Sequence, residues 1–252
     1  MPVKKRCDVQ IWRASPGDVD HAQWRALTNS LSLAERSKAF EFRFDADRKA
    51  YVLAHGLRRL VLAAMLEVPP DALVFQEAKS GQPQLIKPNH KRVYFSHSHT
   101  REGVLFAASF DAAVGVHAER VAELADFTRL DPFMVLLEVG EPDAASLSFY
   151  QCWTALEAFW KAAGTGLSAE QPRLQLSTHR LGHFEVSFET PREFSMTSLA
   201  TQAVIFPVTS PPGGVASLAV IRPASSGDAA CVVHEQEWTK DNARLAHLCV
   251  NK

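Results

Sequence analysis

Residues 150–167 read YQCWTALEAFWKAAGTGL, the pattern of an amphipathic helix with a defined end. Apolar side chains recur every three or four positions, which is the spacing of one helix face; they are Phe149, Trp153, Leu156, Trp160 and Ala163. Gly164 suits the left-handed position just past a helix terminus. Glu157 and Lys161 are four residues apart, so they share a face. Taken alone, the stretch is typical of a core helix with a surface ion pair and a glycine cap.

Length and composition indicate a globular protein without a strong overall charge. The chain has 252 residues, 46% of them hydrophobic, and a net charge of −1, so no global field draws it to nucleic acid or to an anionic membrane. No apolar run approaches the ~18 residues of a membrane span. The cysteines, at positions 7, 152, 231 and 249, match no zinc-ligand spacing, which favours a reducing compartment. We therefore expect a cytoplasmic protein with no nucleic-acid or membrane partner.

The order of the predicted elements indicates an α+β fold. Helical periodicity predicts helices over Ala22 to Leu31, from the Ser32 capping box onward, Asp47 to Leu66, Ala125 to Leu137 and Ala144 to Ala163. Alternation and β-branched runs predict strands over Val9 to Arg13, Leu73 to Glu77, Val93 to His99, Gly103 to Phe110, Ala113 to His117, Arg173 to Ser177, His183 to Phe188, Ala203 to Pro207 and Val215 to Ile221.

These elements fall into two parts of similar content. We expect an N-terminal α+β half over residues 1–112 and a C-terminal α+β half over residues 113–225, in a pseudo-twofold arrangement with the ligand site at their seam. Residues 225–228 read SSGD and mark a boundary. Residues 226–252 form a C-terminal extension of unknown structure.

Three further short motifs could carry chemistry together with the helix of residues 150–167. Residues 81–83 (GQP) form a turn that lets the backbone approach a ligand closely. Residues 95–100 (FSHSHT) put hydroxyls and imidazoles at a strand end, and residues 115–119 (GVHAE) put His117 and Glu119 on one side of a strand. Each motif alone also has an ordinary explanation as a polar strand face or a turn. Zinc binding by His97, His99 and His117 is open as well.

Together and in this order, the motifs resemble the 4′-phosphopantetheinyl transferases, in particular the larger, monomeric type that activates peptide and polyketide synthases. That family carries Gly-Lys-Pro, then Phe-Asn-x-Ser-His-Ser, then Gly-(Val/Ile)-Asp-(Val/Ile)-Glu, then Trp-x-x-Lys-Glu-(Ala/Ser)-x-x-Lys-x-x-Gly-x-Gly-Leu. Residues 31–36, 42–44, 47–48 and 55–58 also look like the family's N-terminal helices. The resemblance covers about residues 30–220, and its specificity lies in the order and spacing of the motifs.

The resemblance implies two similar halves with coenzyme A, a substrate, bound between them. It implies transfer of 4′-phosphopantetheine to a serine of an apo acyl or peptidyl carrier protein, with release of 3′,5′-ADP. A divalent metal, Mg or Mn, would be held by His117, Glu119 and Glu157. Glu157 could instead, or also, deprotonate the serine, and Lys161 would steady the phosphates or the leaving group.

The resemblance also implies the residues that bind coenzyme A. Ser98 and His99 would contact its phosphates, and Lys38 and Arg48 its 3′-phosphate end. The turn residues Gly81, Gln82 and Pro83 would shape the adenine and ribose side.

The sequence departs from the family pattern at four of these positions. His117 stands where the family has its metal-binding aspartate, Leu156 and Gln82 replace lysines, and Ser96 replaces an asparagine. Imidazole suits manganese or zinc better than magnesium, and metal binding through it weakens as pH falls through the imidazole range, near roughly 6.5 if unperturbed. The alternative is therefore a non-catalytic homologue that binds coenzyme A or a carrier protein. A zinc-dependent hydrolase is a third possibility.

Overall fold

The computed structural model describes residues 6–121, 149–167, 174–178, 182–188, 202–223 and 230–238. Its helices are α1 (His21–Ser30), α2 (Leu33–Glu41), α3 (Asp45–Leu66) and α4 (Phe149–Ala163). Its strands are β1 (Cys7–Ala14), β2 (Val74–Glu77), β3 (Pro83–Lys87), β4 (Tyr94–His99), β5 (Val104–Ser109), β6 (Ala113–Arg120), β7 (Leu174–Thr178), β8 (Phe184–Phe188), β9 (Ala203–Pro207), β10 (Gly214–Ile221) and β11 (Cys231–Glu237). The predicted α+β class is confirmed.

Local signals in the sequence explain where the helices begin and end. The predicted capping box opens α2, since the Ser32 hydroxyl accepts from the Glu35 N–H at 3.2 Å and the Glu35 carboxylate accepts from the Ser32 N–H at 2.8 Å. Helix α4 ends where Gly164 takes a φ of +78° and donates its N–H to the Trp160 carbonyl at 3.1 Å. A left-handed Glu67 ends α3, just before Pro69.

Two sheets organise the described residues, with a separate β2–β3 hairpin. The first sheet has the order β11-β1-β5-β4, in which β11 runs parallel to β1 and the other pairs are antiparallel. The second sheet is antiparallel and has the order β6-β10-β9-β8-β7. Strands β4 and β6 are therefore the edges of their sheets, and they lie against each other.

Three apolar clusters stack these elements into layers. Helix α3 covers one face of the first sheet, where Leu57 and Leu60 pack with Phe106. The opposite face of that sheet packs on the second sheet through side chains such as Leu105 and Leu218. Helix α4 covers the outer face of the second sheet through a third cluster. The order of layers is helix, sheet, sheet, helix.

Some observed elements were not predicted, and some predicted elements lie outside the described residues. The sequence did not predict β3, and it left residues 229–252 unplaced, whereas the structure adds Cys231–Glu237 to the first sheet beside β1. The predicted helix over Ala125 to Leu137 and the start of the one over Ala144 to Ala163 lie outside the described residues. Within the residues described, no helix has the length and apolar character needed to cross a membrane.

Candidate active site

The candidate site is built where β6 touches α4. Strand alternation sends Val116 and Ala118 into the core between the sheets, so Gly115, His117 and Glu119 lie on the other face of β6, towards α4. A Cβ on Gly115 would stand 2.0 Å from the Ala158 carbonyl oxygen. Only glycine allows this approach, and the close contact brings α4 with Glu157 and Lys161 beside His117 and Glu119.

Lys161 is the cation at the centre of this arrangement. Its Nζ donates to the carbonyl oxygen of Val116 on β6 at 3.1 Å and lies 3.4 Å from the carbonyl oxygen of His97 on β4. It also contacts Nδ1 of His117 at 3.2 Å. Burial lowers the pKa of Lys161 to about 8, while Glu157 and Glu119 act in the opposite direction. One ammonium group thus joins α4 to the edges of both sheets.

His117 lies between this ammonium and a carboxylate. Burial, and secondarily the charge of Lys161, lowers the pKa of His117 to about 3, so the ring is neutral at pH 6.5. The expected titration near 6.5 therefore moves to lower pH. Nε2 of His117 is buried without a hydrogen-bond partner and lies 3.4 Å from Oε2 of Glu119, too poorly aligned for a hydrogen bond.

The carboxylates complete the polar part of the site. Burial raises the pKa of Glu157, and Glu119 adds to this effect while Lys161 opposes it. Glu119 is more exposed, with 40% of its side chain accessible. Across the described part of the chain, no three His, Cys, Asp or Glu side chains are already grouped to hold a metal ion.

Two buried serines hold the edges of the sheets together. Ser96 Oγ accepts from the Val116 N–H at 3.1 Å, and Ser98 Oγ accepts from the Ala118 N–H at 3.1 Å. These hydroxyls satisfy N–H groups at the edge of β6 that strand pairing leaves free. Ser96 belongs to the motif of residues 95–100 and stands where the family has asparagine, but the sequence alone assigns it no contact. Its role depends on the register between β4 and β6, which no local pattern reveals.

A cavity of about 1030 Å³ opens between the β2–β3 turn, β4 and the end of α4. The predicted site residues on its wall are Gly81, Gln82, Pro83, Ser98, His99, His117 and Lys161. Apolar side chains such as Leu85 and Ile221 share the wall with the exposed cations Lys91 and Arg92, which sequence reasoning had missed. This wall suits a large anionic ligand with an apolar portion.

The remaining predicted residues lie elsewhere. Glu119 and Glu157 are beside the cavity without being part of its described wall. Lys38 and Arg48 are also absent from that wall; Lys38 forms an exposed ion pair with Glu41 at 2.8 Å, and Arg48 pairs with Asp45.

Gln82 and Leu156, which stand where the family has lysines, make contacts with other parts of the chain. The Gln82 side-chain amide donates to the Lys161 carbonyl oxygen at 3.1 Å, which ties the turn to α4. Leu156 is buried, 7% exposed, in the cluster between α4 and the second sheet.

Fold and cavity together define an α+β protein with a cavity lined by cations and apolar side chains where two sheets meet. Residues 12–111 match the family model described as 4′-phosphopantetheinyl transferase, N-terminal. With the motif order and the relatives below, this match makes the chain similar to the 4′-phosphopantetheinyl transferase superfamily.

Curated relatives are also described as phosphopantetheinyl transferases. The 4′-phosphopantetheinyl transferase HetI of Nostoc sp. is 27% identical over 64% of this chain and 70% of its own length. The 4′-phosphopantetheinyl transferase gsp of Aneurinibacillus migulanus is 27% identical over 60% of this chain and 64% of its own. The L-aminoadipate-semialdehyde dehydrogenase-phosphopantetheinyl transferase of Rattus norvegicus is 24% identical over 68% of this chain and 58% of its own. The matches thus span about three fifths to seven tenths of these relatives.

Proposed function

We propose that the protein transfers the 4′-phosphopantetheine group of coenzyme A to a serine hydroxyl of an apo acyl or peptidyl carrier protein, releasing 3′,5′-ADP. The observation that carries the proposal is one cavity shared by all four motifs, the first of which contributes Gly81, Gln82 and Pro83. Ser98 and His99 from the second motif, His117 from the third and Lys161 from the fourth line one space of about 1030 Å³. Its polar and apolar wall matches a ligand that has both phosphates and an apolar arm.

The position of Lys161 supports the proposal that its ammonium group binds the pyrophosphate of coenzyme A. Its ammonium is buried and lies at the cavity wall, where an anion is attracted more strongly than in water. Its contacts with the carbonyl groups of β4 and β6 hold it in place, so little reorganisation accompanies binding. We propose that Ser98 and His99 contact the phosphates and that Gly81, Gln82 and Pro83 border the adenine and ribose.

The transfer itself exchanges one phosphorus–oxygen bond for another. The carrier serine oxygen attacks the β-phosphorus, the bond to the bridging oxygen breaks, and its electron pair leaves with 3′,5′-ADP. Glu157 takes the serine proton, directly or through a water. Its raised pKa supports this role, because a more basic carboxylate accepts a proton more readily. Lys161, one helical turn further on, steadies the leaving group.

The residues of β6 fit a divalent cation. Two donors on one ion, each at about 2.1 Å, lie roughly 3.0–3.5 Å apart, and His117 Nε2 and Glu119 Oε2 are separated by 3.4 Å without a hydrogen bond between them. We propose that these two atoms hold the ion and that Glu157 assists. A cation there would neutralise charge on the phosphates. Coordination by Nε2 requires the ring proton on Nδ1, so Lys161 Nζ would then direct its protons to the Val116 and His97 carbonyl oxygens and to the ligand, and not to the ring.

The wider organisation is part of the same proposal. We propose that the two α+β halves, residues 1–112 and 113–225, are related by a pseudo-twofold arrangement, with the edges of β4 and β6 at their seam. We expect a monomer, because the described halves already supply both walls of the cavity. A coenzyme A substrate, and free thiols at the described cysteines, support a cytoplasmic location.

The test is mass spectrometry of several apo carrier proteins after incubation with the protein, coenzyme A and magnesium or manganese. We expect one phosphopantetheine to be added per carrier, with release of an equal amount of 3′,5′-ADP. Glu157→Gln should abolish transfer without loss of folding, because an amide cannot take the proton. Glu67→Gln, at an exposed carboxylate past the end of α3, is the matched control and should keep full activity.

Two outcomes would contradict the proposal. Stoichiometric binding of coenzyme A with no mass added to any carrier would support the non-catalytic alternative. Near-normal transfer by Glu157→Gln would remove this carboxylate from the mechanism.

A further inference from the structure

Two cysteines far apart in sequence lie side by side where β11 returns to β1. Cys7 is directly opposite Cys231 in the parallel register of these strands. The Cys7 N–H donates to the Ala230 carbonyl oxygen at 3.1 Å, which fixes this end of the pairing. Neighbouring strands lie about 4.8 Å apart, within the roughly 4.4–6.8 Å between Cα atoms that disulfides span.

Both side chains point to the same side of the sheet. Cys7 is part of the apolar cluster between the two sheets, at 3% exposure, and Cys231 packs against that cluster from a half-buried position. The two thiols are therefore neighbours with different access to solvent. Cys231 can meet a small reagent, whereas Cys7 can be reached mainly through Cys231.

The electrostatics of the pair separate the roles of the two thiols. Their direct interaction is the main influence on each, and it lowers the pKa of Cys231 to about 7 while raising the pKa of Cys7. Arg222 further favours the Cys231 thiolate, and burial together with Asp111 and Asp8 disfavours ionisation of Cys7. A thiolate that is partly exposed is the attacking group in thiol oxidation, and a neighbouring thiol resolves the intermediate.

We propose that Cys7 and Cys231 form a reversible intramolecular disulfide that fastens the C-terminal strand to β1. With a low-molecular-weight disulfide such as oxidised glutathione, the Cys231 thiolate attacks one sulfur and expels a glutathione thiolate. Cys7 then loses its proton, attacks the sulfur of Cys231 and releases the second glutathione. With a peroxide, the Cys231 thiolate attacks one oxygen, the O–O bond breaks and water or an alcohol leaves; the resulting sulfenic acid then condenses with the Cys7 thiol and releases water.

The bond would add a covalent link to an attachment that is otherwise noncovalent, in which Trp238 is buried against Trp12 and His234 pairs with Asp8 at 2.9 Å. Beyond the strand pairing, the Trp238 N–H donates to the Arg13 carbonyl oxygen at 2.7 Å, and Arg13 pairs with Glu237 at 2.8 Å on the surface. A link between residues 7 and 231 encloses most of the chain, so it restricts the unfolded chain strongly. Oxidation should therefore raise the midpoint of thermal unfolding by a few degrees, reversibly with dithiothreitol.

The test uses the full chain with Cys152→Ser and Cys249→Ser, which leaves only the proposed pair. After treatment with oxidised glutathione, intact mass should fall by two hydrogens, both thiols should resist alkylation, and digestion should give one peptide pair joined through Cys7 and Cys231. Adding Cys7→Ser should stop the reaction at a glutathione adduct on Cys231. Adding Cys231→Ser should leave Cys7 reduced.

The same measurements can overturn the proposal. A stable glutathione adduct on Cys231 with Cys7 still free would mean that the thiols cannot bond in the folded protein. No reaction at either thiol would contradict the role of Cys231 as the attacking group. Cys152, whose pKa burial raises to about 11, is the internal control in the unmodified chain and should stay reduced.

Discussion

Gly115→Ala should move the α4 side of the candidate site away from its β6 side without changing any polar side chain. The new Cβ would lie 2.0 Å from the Ala158 carbonyl oxygen, 2.5 Å from the Ala162 nitrogen and 2.9 Å from the Lys161 Cβ. Two of these atoms belong to the backbone, so no side-chain rotation relieves the overlap. Nonbonded contacts of a Cβ atom closer than 3.0 Å are essentially absent from proteins, so α4 and β6 must move apart by roughly 1 Å.

Two measurable losses follow from this displacement. Overpacking costs about 1–3 kcal/mol, and unfolding midpoints of proteins of this size shift by about 2–4 °C per kcal/mol, so the midpoint should fall by roughly 2–12 °C. Glu157 and Lys161 move with α4 away from His117 and Glu119. A misplacement of about 1 Å costs on the order of 100-fold in rate, so kcat/KM for carrier modification should fall by about that factor.

The controls separate loss of stability from loss of positioning. Gly56→Ala places its Cβ 2.9 Å from Leu27, so it strains the contact between α1 and α3 without touching α4. Gly17→Ala meets nothing within 4 Å and should be neutral. All three variants are assayed for transfer well below their unfolding midpoints. If Gly115→Ala transfers at the native rate, or if Gly56→Ala loses as much activity while folded, the positioning argument is wrong.

Three further predictions concern charged side chains. Lys161→Met should weaken coenzyme A binding by about 10- to 200-fold in calorimetry, the worth of one charged hydrogen bond, whereas Lys49→Met, on the exposed face of α3, should not. His117→Asp should shift the preferred metal from manganese towards magnesium in transfer assays, because a carboxylate replaces imidazole; an unchanged preference would exclude His117 as a ligand. Glu35→Gln should destabilise the fold by about 3–5 kcal/mol in denaturant titrations at neutral pH, because two buried arginines lose their carboxylate partner.

The last of these predictions also has a pH dependence. Burial acts to raise the pKa of Glu35, but the hydrogen bond with His55, the Ser32 N–H and the charge of Arg59 outweigh it, and the pKa is lowered well below its usual range. The unfolded chain therefore takes up a proton before the folded one does. The stability from Glu35 is fully present above about pH 4.5 and is lost as pH falls below it. The difference in the free energy of unfolding between the native protein and Glu35→Gln should therefore become smaller as pH falls over that range.

The elements that follow from short-range patterns were predictable from the sequence. Helix periodicity and caps gave α1, α2, α3 and the described part of α4, because these signals lie within a few residues of each other. Alternation in β6 correctly put His117 and Glu119 on one face, opposite Val116. The match of β11 with β1 was not predictable, because it joins residues more than 200 positions apart and its sequence is mixed in polarity.

The residues of the proposed coenzyme A site were harder to predict, because that site depends on where sheet edges and turns meet. Residues from all four motifs do share the cavity wall, but Lys38 and Arg48 are absent from that wall and pair with acidic neighbours. Their assignment to the 3′-phosphate therefore stays a prediction. Lys91 and Arg92 carried no motif, and only the cavity reveals them as cations beside the ligand space. The affinities of coenzyme A and dephospho-coenzyme A should be measured for variants of Lys38 and Arg48 and for variants of Lys91 and Arg92. The comparison would show which pair contacts the 3′-phosphate.

Lys161 shows why the remaining part of the site could not be read from residue types. The helix pattern marks it as one member of an exposed Glu–Lys pair, yet its Nζ is buried and bound to main-chain oxygen atoms of two different strands. These strands are the edges of separate sheets, so the contact exists only after both sheets and α4 have assembled. Under the proposed function, the same ammonium holds the edges together and attracts phosphate. Its loss should weaken both functions, and only paired measurements of coenzyme A affinity and unfolding on one variant can divide the effect between them.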